Sequence, residues 1–264
     1  SRRLGTNDII SYSFDPTKHN LENFQKNFDS AAILAKKITG EYLIFENENF
    51  LVINKPSKLS AQGGDSVAIS VDDALNYINK EFTNEEKIEK GYRLVHRLDK
   101  ETSGLMFLAK NRNSASILTK AFKDKLVEKT YLAILCGIPK NNDGVIKSKI
   151  KKDLIQKKQI TSPDGDYAET IYKVVAKSEN YSLVEFKPLT GRMHQIRVHA
   201  LELGFPILGD KKYGNNNSNV QNLFLHSYEA VLAKDIFGKR FKFNASLPKY
   251  FEEFLLKELK VDIS

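Results

Sequence analysis

The stretch Arg93-Leu-Val-His-Arg-Leu-Asp99-Lys-Glu-Thr-Ser-Gly104 places two arginines, a lysine, a histidine, two acids, two hydroxyls and a glycine between two apolar runs. The run Leu105–Ala109 follows it directly and predicts a strand. Spacing alone leaves two interpretations of Asp99 open. Its oxygens could cap the glycine turn, or a nearby cation such as Arg97 could hold it ionised as a nucleophile or base.

A second polar stretch, Thr190-Gly-Arg-Met-His-Gln-Ile-Arg-Val-His-Ala200, opens a helix predicted over 192–203. Free backbone amides and basic side chains at a helix start favour phosphate. Arg197 has Met193 one turn before it and Leu201 one turn after it, so we predict that it faces inward. A buried, unpaired guanidinium is costly, and Arg197 is therefore expected to pair with a carboxylate.

Metal, cofactor and thiol chemistry have little support in the sequence. His194 and His199 are five residues apart rather than one helical turn, and no cysteine pair or acid cluster completes a metal site. No serine or cysteine nucleophile motif accompanies either histidine, so a hydrolase triad is not predicted. Cys136 lies between Leu135 and Gly137 in an apolar strand pattern, which predicts a buried and inert thiol.

Composition favours a folded, non-membrane protein. The chain has 264 residues, 41% of them hydrophobic, which is enough for a substantial core. No window approaches the ~20 apolar residues of a membrane span and no secretory leader opens the chain, so a cytoplasmic location is expected. Lys and Arg exceed Asp and Glu by 41 to 33, a net charge of +8 that suits a polyanionic partner but also occurs in proteins that bind none.

Periodicity predicts an α+β fold with a mainly antiparallel sheet. Residues 42–45 and 50–54 predict a hairpin, and Ser70 with Asp73 predicts a capping box that opens a helix to about Phe82. Residues 1–41 show no sustained period and are interpreted as an extension or linker before a main domain over 42–264. Further strands are predicted at 105–109, 127–136, 167–175, 182–187, 223–232 and 240–245, and further helices at 113–123, 192–203 and 248–260.

A basic run occupies residues 147–158. It is either a solvated surface or a set of phosphate contacts, which would position a nucleic acid without reading its sequence. Alternation with Ile150, Leu154 and Ile155 favours a partly ordered hairpin over a tail. The lysines of the run are Lys147, Lys149, Lys151, Lys152, Lys157 and Lys158.

Several long motifs, in one order, resemble the RluA family of RNA pseudouridine synthases. The likeness extends from about Tyr42 to Leu232. The motifs are Asn54–Pro56, Val95–Ala109, Glu128–Ala133, Thr190–His199, Gly204–Gly214 and Leu225–His226.

The resemblance implies the pseudouridine synthase catalytic fold, a mixed and mainly antiparallel sheet with flanking helices and a central active-site cleft. Asp99 looks like the catalytic carboxylate, Tyr131 like the aromatic side chain that stacks on the target base, and Arg197 like the basic partner of Asp99. The implied reaction detaches uracil from ribose and rejoins it through carbon, without cofactor or metal. Asp99 could attack the ribose carbon, add to the uracil ring or act as a base on the sugar.

RNA is the implied partner, bound by a chain that we expect to be a monomer. A target base must be flipped out of the RNA, and Leu225 is expected to form an apolar wall for it. Arg97 and Arg192 are candidates for gripping flanking phosphates. Lesser candidates, which could equally be hydrogen-bonded structural residues, are Lys55, His96, Lys129, His194 and Gln195.

Residues 145–170 resemble the RluC branch, which implies uridines of large-subunit ribosomal RNA, with transfer RNA as an alternative. Many such enzymes carry an α-L type RNA-binding domain, and Arg2–Ile10 resembles its closing segment, so we expect that such a domain preceded this chain. A non-catalytic RNA-binding or ribosome assembly factor is the competing interpretation. A glycoside hydrolase would need two opposed carboxylates, and only Asp99 with Glu101 suggests itself.

Overall fold

The fold comes from a computed structural model that describes residues 21–64, 67–83, 86, 89–214 and 220–263. The expected α+β class is confirmed by eleven strands in one sheet and six α-helices in these ranges. The strands are β1 Leu43–Glu46, β2 Phe50–Lys55, β3 Arg93–Leu94, β4 Ser103–Ala109, β5 Val127–Leu135, β6 Asp143–Asp153, β7 Lys158–Thr161, β8 Asp166–Lys177, β9 Ser182–Pro188, β10 Leu225–Leu232 and β11 Phe241–Asn244.

The helices lie between and after these strands. Within the described ranges, none is long and apolar enough to cross a lipid bilayer. They are α1 Leu21–Ile38, α2 Val71–Ile78, α3 Arg112–Lys123, α4 Gln195–Glu202, α5 Lys234–Phe237 and α6 Lys249–Phe254, with a 3-10 turn at Asn79–Glu81 and a π turn at Leu255–Leu259.

The sheet runs in the order β1-β2-β4-β10-β5-β9-β8-β6-β7, with β3 also paired to β4 and β11 to β10. The β4–β10 pair is parallel and joins His226 to Ser103 and Ser227 to Gly104. Gly104 has φ +108°, and a Cβ there would lie 2.3 Å from the carbonyl oxygen of Ser227. Glycine at this position therefore lets β4 approach β10, which brings the loop before β4 close to β5.

Helices cover both faces of the central strands. Phe107 of β4 packs in a phenylalanine-rich cluster with Leu118 of α3, whereas Met106 packs with Leu75 of α2 on the other face. All seven residues of β4 are buried, which explains its continuous apolar run. A third cluster joins β5, β9 and β10 to α4 and to the C-terminal helix.

Local signals at helix starts are confirmed with one shift. The Ser70 hydroxyl accepts from the backbone N–H of Asp73 at 3.3 Å, and the Asp73 carboxylate accepts from the backbone N–H of Ser70 at 2.9 Å. The helix predicted from residue 192 begins instead at Gln195. His194 precedes it in the left-handed conformation, with φ +54°, so the preceding residues form a loop.

The first part of the chain contributes more to the core than expected. Leu34, Ala35 and Ile38 of α1 are buried in the same cluster as α2, so it is wrong that residues 1–41 add no core element. The buried positions Ala31, Leu34, Ala35 and Ile38 are spaced i, i+3, i+4 and i+7, a helical period that the linker interpretation missed. The segment Arg2–Ile10 lies outside the described residues, and the domain boundary at 42 stays a prediction.

Cys136 also differs from expectation. It directly follows the last residue of β5 and is exposed rather than buried. Desolvation by neighbouring protein nevertheless raises the pKa of its thiol, which disfavours the reactive thiolate.

Candidate active site

A cleft of about 1200 Å³ collects polar side chains from distant parts of the sequence. Its walls come from the loop before β4, the loop that leads into α4, residues 209–212, and side chains of β5 and β10. Among the described residues, no three His, Cys, Asp or Glu side chains are grouped to hold a metal ion. Of the expected site residues the cleft is lined by Asp99, Tyr131, Arg197, Arg97, Arg192, His96, Lys129, His194, Gln195 and Leu225, but not by Lys55.

Arg197 is buried, as its position in the sequence predicted, and it forms a two-pronged ion pair with Asp210. Its Nε and Nη2 each donate to an Asp210 carboxylate oxygen at 2.7 Å. The Asp210 side chain is fully buried, and its Oδ1 also accepts from the backbone N–H groups of Lys212 at 2.9 Å and Tyr213 at 3.1 Å. Asp210 is therefore the carboxylate that the buried guanidinium required.

Asp210 was not among the site residues expected from the sequence. The available signal was an acid directly after Gly209, inside the Gly204–Gly214 motif. Gly209 has φ +75°, and a Cβ there would lie 1.9 Å from the carbonyl oxygen of Asn222, so this turn needs glycine. The predicted stripe was also partly wrong, since Met193 and Leu201 are exposed although Arg197 is buried.

Asp99 faces the third nitrogen of the same guanidinium. Its Oδ2 lies 3.4 Å from Arg197 Nη1, and its side chain keeps 26% exposure to the cleft. Burial acts to lower the pKa of Arg197, but the hydrogen bonds and charge of Asp210 outweigh this and raise it, so the guanidinium stays charged. The predicted Asp99–Arg197 contact is present, although it is longer than either bond to Asp210.

The side-chain carboxylate of Asp99 does not cap its own turn. The turn is closed through the backbone, by the N–H of Thr102 donating to the carbonyl of Asp99 at 3.1 Å. The side-chain contacts of Asp99 go instead to Arg197 and His194. This geometry favours the chemical interpretation of Asp99 over the turn cap.

His194 is the second group that faces Asp99, with its Nε2 3.8 Å from Oδ2. The backbone N–H of Gln159 donates to the Tyr213 hydroxyl at 2.9 Å, so that hydroxyl directs its own proton to His194 Nδ1 at 2.7 Å. Burial lowers the pKa of His194, which favours the neutral ring. The ring proton is then on Nε2 and points toward the carboxylate.

Gln195 shapes the cleft from within the protein. Its Oε1 accepts from the Thr190 hydroxyl at 2.7 Å and the Arg192 backbone N–H at 3.0 Å. Its Nε2 donates to the Glu169 carbonyl at 2.9 Å and the Thr170 hydroxyl at 2.8 Å. All four hydrogen-bonding positions of the amide are used, so the expected RNA contact is corrected to a supporting role.

The expected RNA contact of Lys55 is also corrected, because its side chain is fully buried behind the cleft. Its Nζ donates to the carbonyl oxygens of Pro56 at 3.0 Å, Leu59 at 2.8 Å and Lys100 at 3.4 Å. Burial lowers its pKa to about 7. Lys55 thus ties the loop after β2 to the loop that carries Asp99, and it cannot reach RNA.

His96 lines the cleft as a neutral ring rather than as a cation. Its Nε2 accepts from the backbone N–H of Phe107 at 2.8 Å, and the ring stacks on Phe122 with centroids 4.2 Å apart. Burial lowers the pKa of His96 to about 3, so it carries no charge for a phosphate near neutral pH.

Tyr131 and Leu225 provide aromatic and aliphatic surface in the cleft. Tyr131 is on β5, where its hydroxyl hydrogen-bonds to Ser227, and burial raises its pKa to about 12. Leu225 is buried at the start of β10. A neutral aromatic ring beside an aliphatic side chain is a suitable surface for a flat heterocycle.

Three of the cations that line the cleft, Arg97, Arg192 and Lys129, were expected from the sequence. Arg97 and Arg192 are exposed. Arg97 donates to the side-chain oxygen of Gln62 at 3.0 Å, and Arg192 donates to the backbone carbonyl of Tyr167 at 3.0 Å. Lys129 lies over the Phe122 ring, 6.0 Å from its centroid, and burial lowers its pKa.

Comparison with known proteins shows the family of this chain. Residues 49–202 match the family described as RNA pseudouridylate synthase. The chain belongs to this family. The synthase is 48% identical over 229 residues to the ribosomal large subunit pseudouridine synthase C of Rickettsia bellii, an alignment that covers 84% of this chain and 74% of that protein.

Other relatives agree on the family and the fold. The ribosomal large subunit pseudouridine synthase D of Borreliella burgdorferi is 38% identical over 232 residues, covering 83% of this synthase and 69% of the relative. The solved structure of human RNA pseudouridylate synthase domain containing 4 has a TM-score of 0.71 at 29% identity, covering 86% and 96% of the two chains. The resemblance to the RluA family and its catalytic fold is thereby confirmed.

A buried histidine supports the β4–β10 junction beneath the cleft. His226 Nδ1 lies 2.9 Å from the Ser103 hydroxyl, and its Nε2 lies 3.3 Å from the Ala245 carbonyl. A carbonyl only accepts, so Nε2 carries the proton and Nδ1 accepts from Ser103. Burial lowers the pKa of His226 from 6.5 to about 4.

Replacing Asp210 by Asn should destabilise the synthase strongly, because it leaves a buried guanidinium without its counter-charge. We expect a loss of about 3 kcal/mol in the free energy of unfolding, measured by urea titration. Asp166→Asn is the matched control, since Asp166 pairs with Arg192 in an exposed position at 3.6 Å and its loss should hardly change stability. Equal effects of the two changes would contradict the assignment.

Replacing His226 by Gln should make the free energy of unfolding fall less steeply as the pH is lowered. The folded-state pKa lies below the unfolded value, so this group's contribution is complete above pH 6.5 and is lost as pH falls through about 4. Gln can keep both hydrogen bonds but does not titrate. Urea unfolding between pH 7 and 4.5 measures the slope of the unfolding free energy against pH, which should be smaller in the variant by up to about 1.4 kcal/mol per pH unit. Equal slopes in the two proteins would refute the buried neutral state.

Proposed function

We propose that this synthase isomerises specific uridines of large-subunit ribosomal RNA, with Asp99 as the reacting carboxylate. The observation that carries the proposal is the placement of Asp99 in the cleft, with Arg197 Nη1 at 3.4 Å and His194 Nε2 at 3.8 Å from the same oxygen. The charge of Arg197 attracts this oxygen toward the guanidinium, which leaves the other carboxylate oxygen of Asp99 for chemistry.

The uridine enters the cleft flipped out of its RNA. Tyr131 stacks on the uracil and Leu225 packs beside it, and these contacts offset an unstacking cost of a few kcal/mol. Arg97 and Arg192 bind the phosphates on either side of the flipped nucleotide, and Lys129 adds a third positive charge. The volume of about 1200 Å³ exceeds what one nucleoside needs, which supports binding of the neighbouring nucleotides as well.

The reaction exchanges one bond of the ribose for another. The bond from the ribose C1′ to ring N1 breaks, the uracil rotates while it is held, and C1′ joins ring C5. The proton on C5 is lost and N1 gains one, so the composition of the RNA is unchanged and no oxidant or water is consumed. Attack of Asp99 on C1′, its addition to the ring and its action as a base on the sugar all begin from a carboxylate in this position.

The ribosomal target is supported by the names of the relatives, since five Rickettsia large-subunit synthases C are 45–48% identical to this chain. Transfer RNA is the alternative substrate. We also propose that the enzyme is cytoplasmic, where such RNA is assembled, and monomeric.

Replacing Asp99 by Asn should abolish pseudouridine formation and preserve RNA binding. Ribosomal RNA would be incubated with each protein and new pseudouridines mapped by chemical labelling and reverse transcription. Glu101→Gln, which changes another acid of the same loop, is the matched control and should remain active. If the Asn variant remained active, or if wild-type protein bound RNA without converting any uridine, a non-catalytic binding protein would replace the proposal.

Replacing Tyr213 by Phe should reduce kcat, because it removes the hydroxyl that directs the His194 ring proton toward Asp99. We expect a loss of about tenfold or more in kcat with a nearly unchanged KM, since Tyr213 need not touch the substrate. Single-turnover conversion of a ribosomal RNA fragment measures the step. A matched control is Tyr167→Phe, since Tyr167 is exposed and its hydroxyl bonds Glu169 at 2.8 Å. An effect on KM alone would contradict the orienting role.

A further inference from the structure

The hairpin of β6 and β7 ends in an unusually apolar tip. Leu154 and Ile155 are 77% and 93% exposed, more than any other large hydrophobic side chain among the described residues. Asp153 Oδ1 accepts from the backbone N–H groups of Ile155 at 2.8 Å and Gln156 at 3.0 Å, so the turn has a defined shape. Two aliphatic side chains are thus held outward by the turn.

The same hairpin is strongly basic. Residues 147–164 contain six lysines and two aspartates, a net charge of +4 that is half of the +8 of the whole chain. One of the aspartates shapes the turn, and the other, Asp164, pairs with Lys151 at 2.8 Å. Such a charge density suits a partner with regularly spaced negative charges, which is the character of a nucleic-acid backbone.

The hairpin is attached to the active site at Gln159, near the start of β7. The backbone N–H of Gln159 bonds the Tyr213 hydroxyl, and its side-chain Nε2 lies 3.3 Å from the sulfur of Met193. On the neighbouring strand, Ser148 bonds His199 of α4 at 3.1 Å. Ile155 and Leu154 are four and five residues from Gln159, so they lie at most about 13 and 17 Å from that contact at about 3.3 Å per residue.

We propose that the β6–β7 hairpin is an arm that binds unpaired RNA next to the target uridine. Leu154 and Ile155 pack against the face of an unstacked base, and Lys152, Lys157 and Lys158 contact the adjoining phosphates. This inference rests on the proposed function, because it takes the RNA substrate as the occupant. A protein partner is less suited, since two aliphatic side chains form too small an apolar patch for a stable protein interface.

The test measures RNA affinity separately from catalysis. All proteins carry Asp99→Asn, and binding of a labelled large-subunit ribosomal RNA fragment is followed by fluorescence anisotropy. Leu154→Ser with Ile155→Ser should weaken binding by about tenfold without changing the salt dependence, because only apolar contact is lost. Ile33→Ser is the matched control, since Ile33 on α1 is also an exposed isoleucine, at 59%, and should bind unchanged.

The lysines and an aromatic replacement provide independent readouts. Changing Lys152, Lys157 and Lys158 to Gln should lower the slope of log K against log salt by about 2, from about 0.7 per phosphate contact on a single strand. Leu154→Tyr should match or exceed the parent affinity, because an aromatic ring stacks on a base. Circular dichroism of each variant verifies that the fold is kept.

Failure of the arm is distinguishable from failure of the proposed function. If the enzyme with Asp99 intact converts uridines but the folded Ser variant binds like the control, the arm is refuted and the function stands. If the enzyme with Asp99 intact converts no uridine in any RNA, the proposed function fails. A Ser variant that binds RNA normally but loses adsorption to vesicles containing phosphatidylserine would reassign the tip to a membrane surface and overturn the proposal.

Discussion

The buried ion pair between Arg197 and Asp210 is the interaction on which the active site depends. Two bonds of 2.7 Å hold the guanidinium in one plane, so its third nitrogen is presented to Asp99 in a fixed direction. Asp210 in turn receives backbone N–H groups of the segment that carries Tyr213, whose ring lies 5.0 Å from the guanidinium carbon. Because Asp210 supplies a full counter-charge, Arg197 can stay charged while it is buried beside the partly exposed carboxylate of Asp99.

The scaffold brings this pair to Asp99 through the centre of the sheet. The parallel approach of β4 to β10 at Gly104 places the Asp99 loop near Tyr131, which lies one strand further on. His226 and Lys55 support the junction as buried, fully hydrogen-bonded groups. The polar residues around the site therefore divide into those that face the cleft and those that hold its loops.

That division explains which functional residues could be predicted. Asp99, Arg97 and Arg192 were expected in the site from their motifs, and all three line the cleft. His96 and Gln195 stand in the same motifs, Lys55 stands in the Asn54–Pro56 motif, and all three side chains can form hydrogen bonds just as well. They are distinguished only by backbone partners that come from other strands, such as Phe107 for His96 and Glu169 for Gln195. Sequence spacing has no information about such partners.

The sequence by itself determined the α+β class, most strand positions, the capping box at Ser70 and the family, because these follow from short-range periodicity and from long motifs in order. It also required that Arg197 have a buried carboxylate partner. Only the tertiary structure decided that this partner is chiefly Asp210, and that His194 directs a ring proton toward Asp99 through Tyr213 and Gln159. The reason is physical: a hydrogen-bond partner is selected by the three-dimensional approach of distant segments, and here those segments are brought together by sheet pairing across the whole chain.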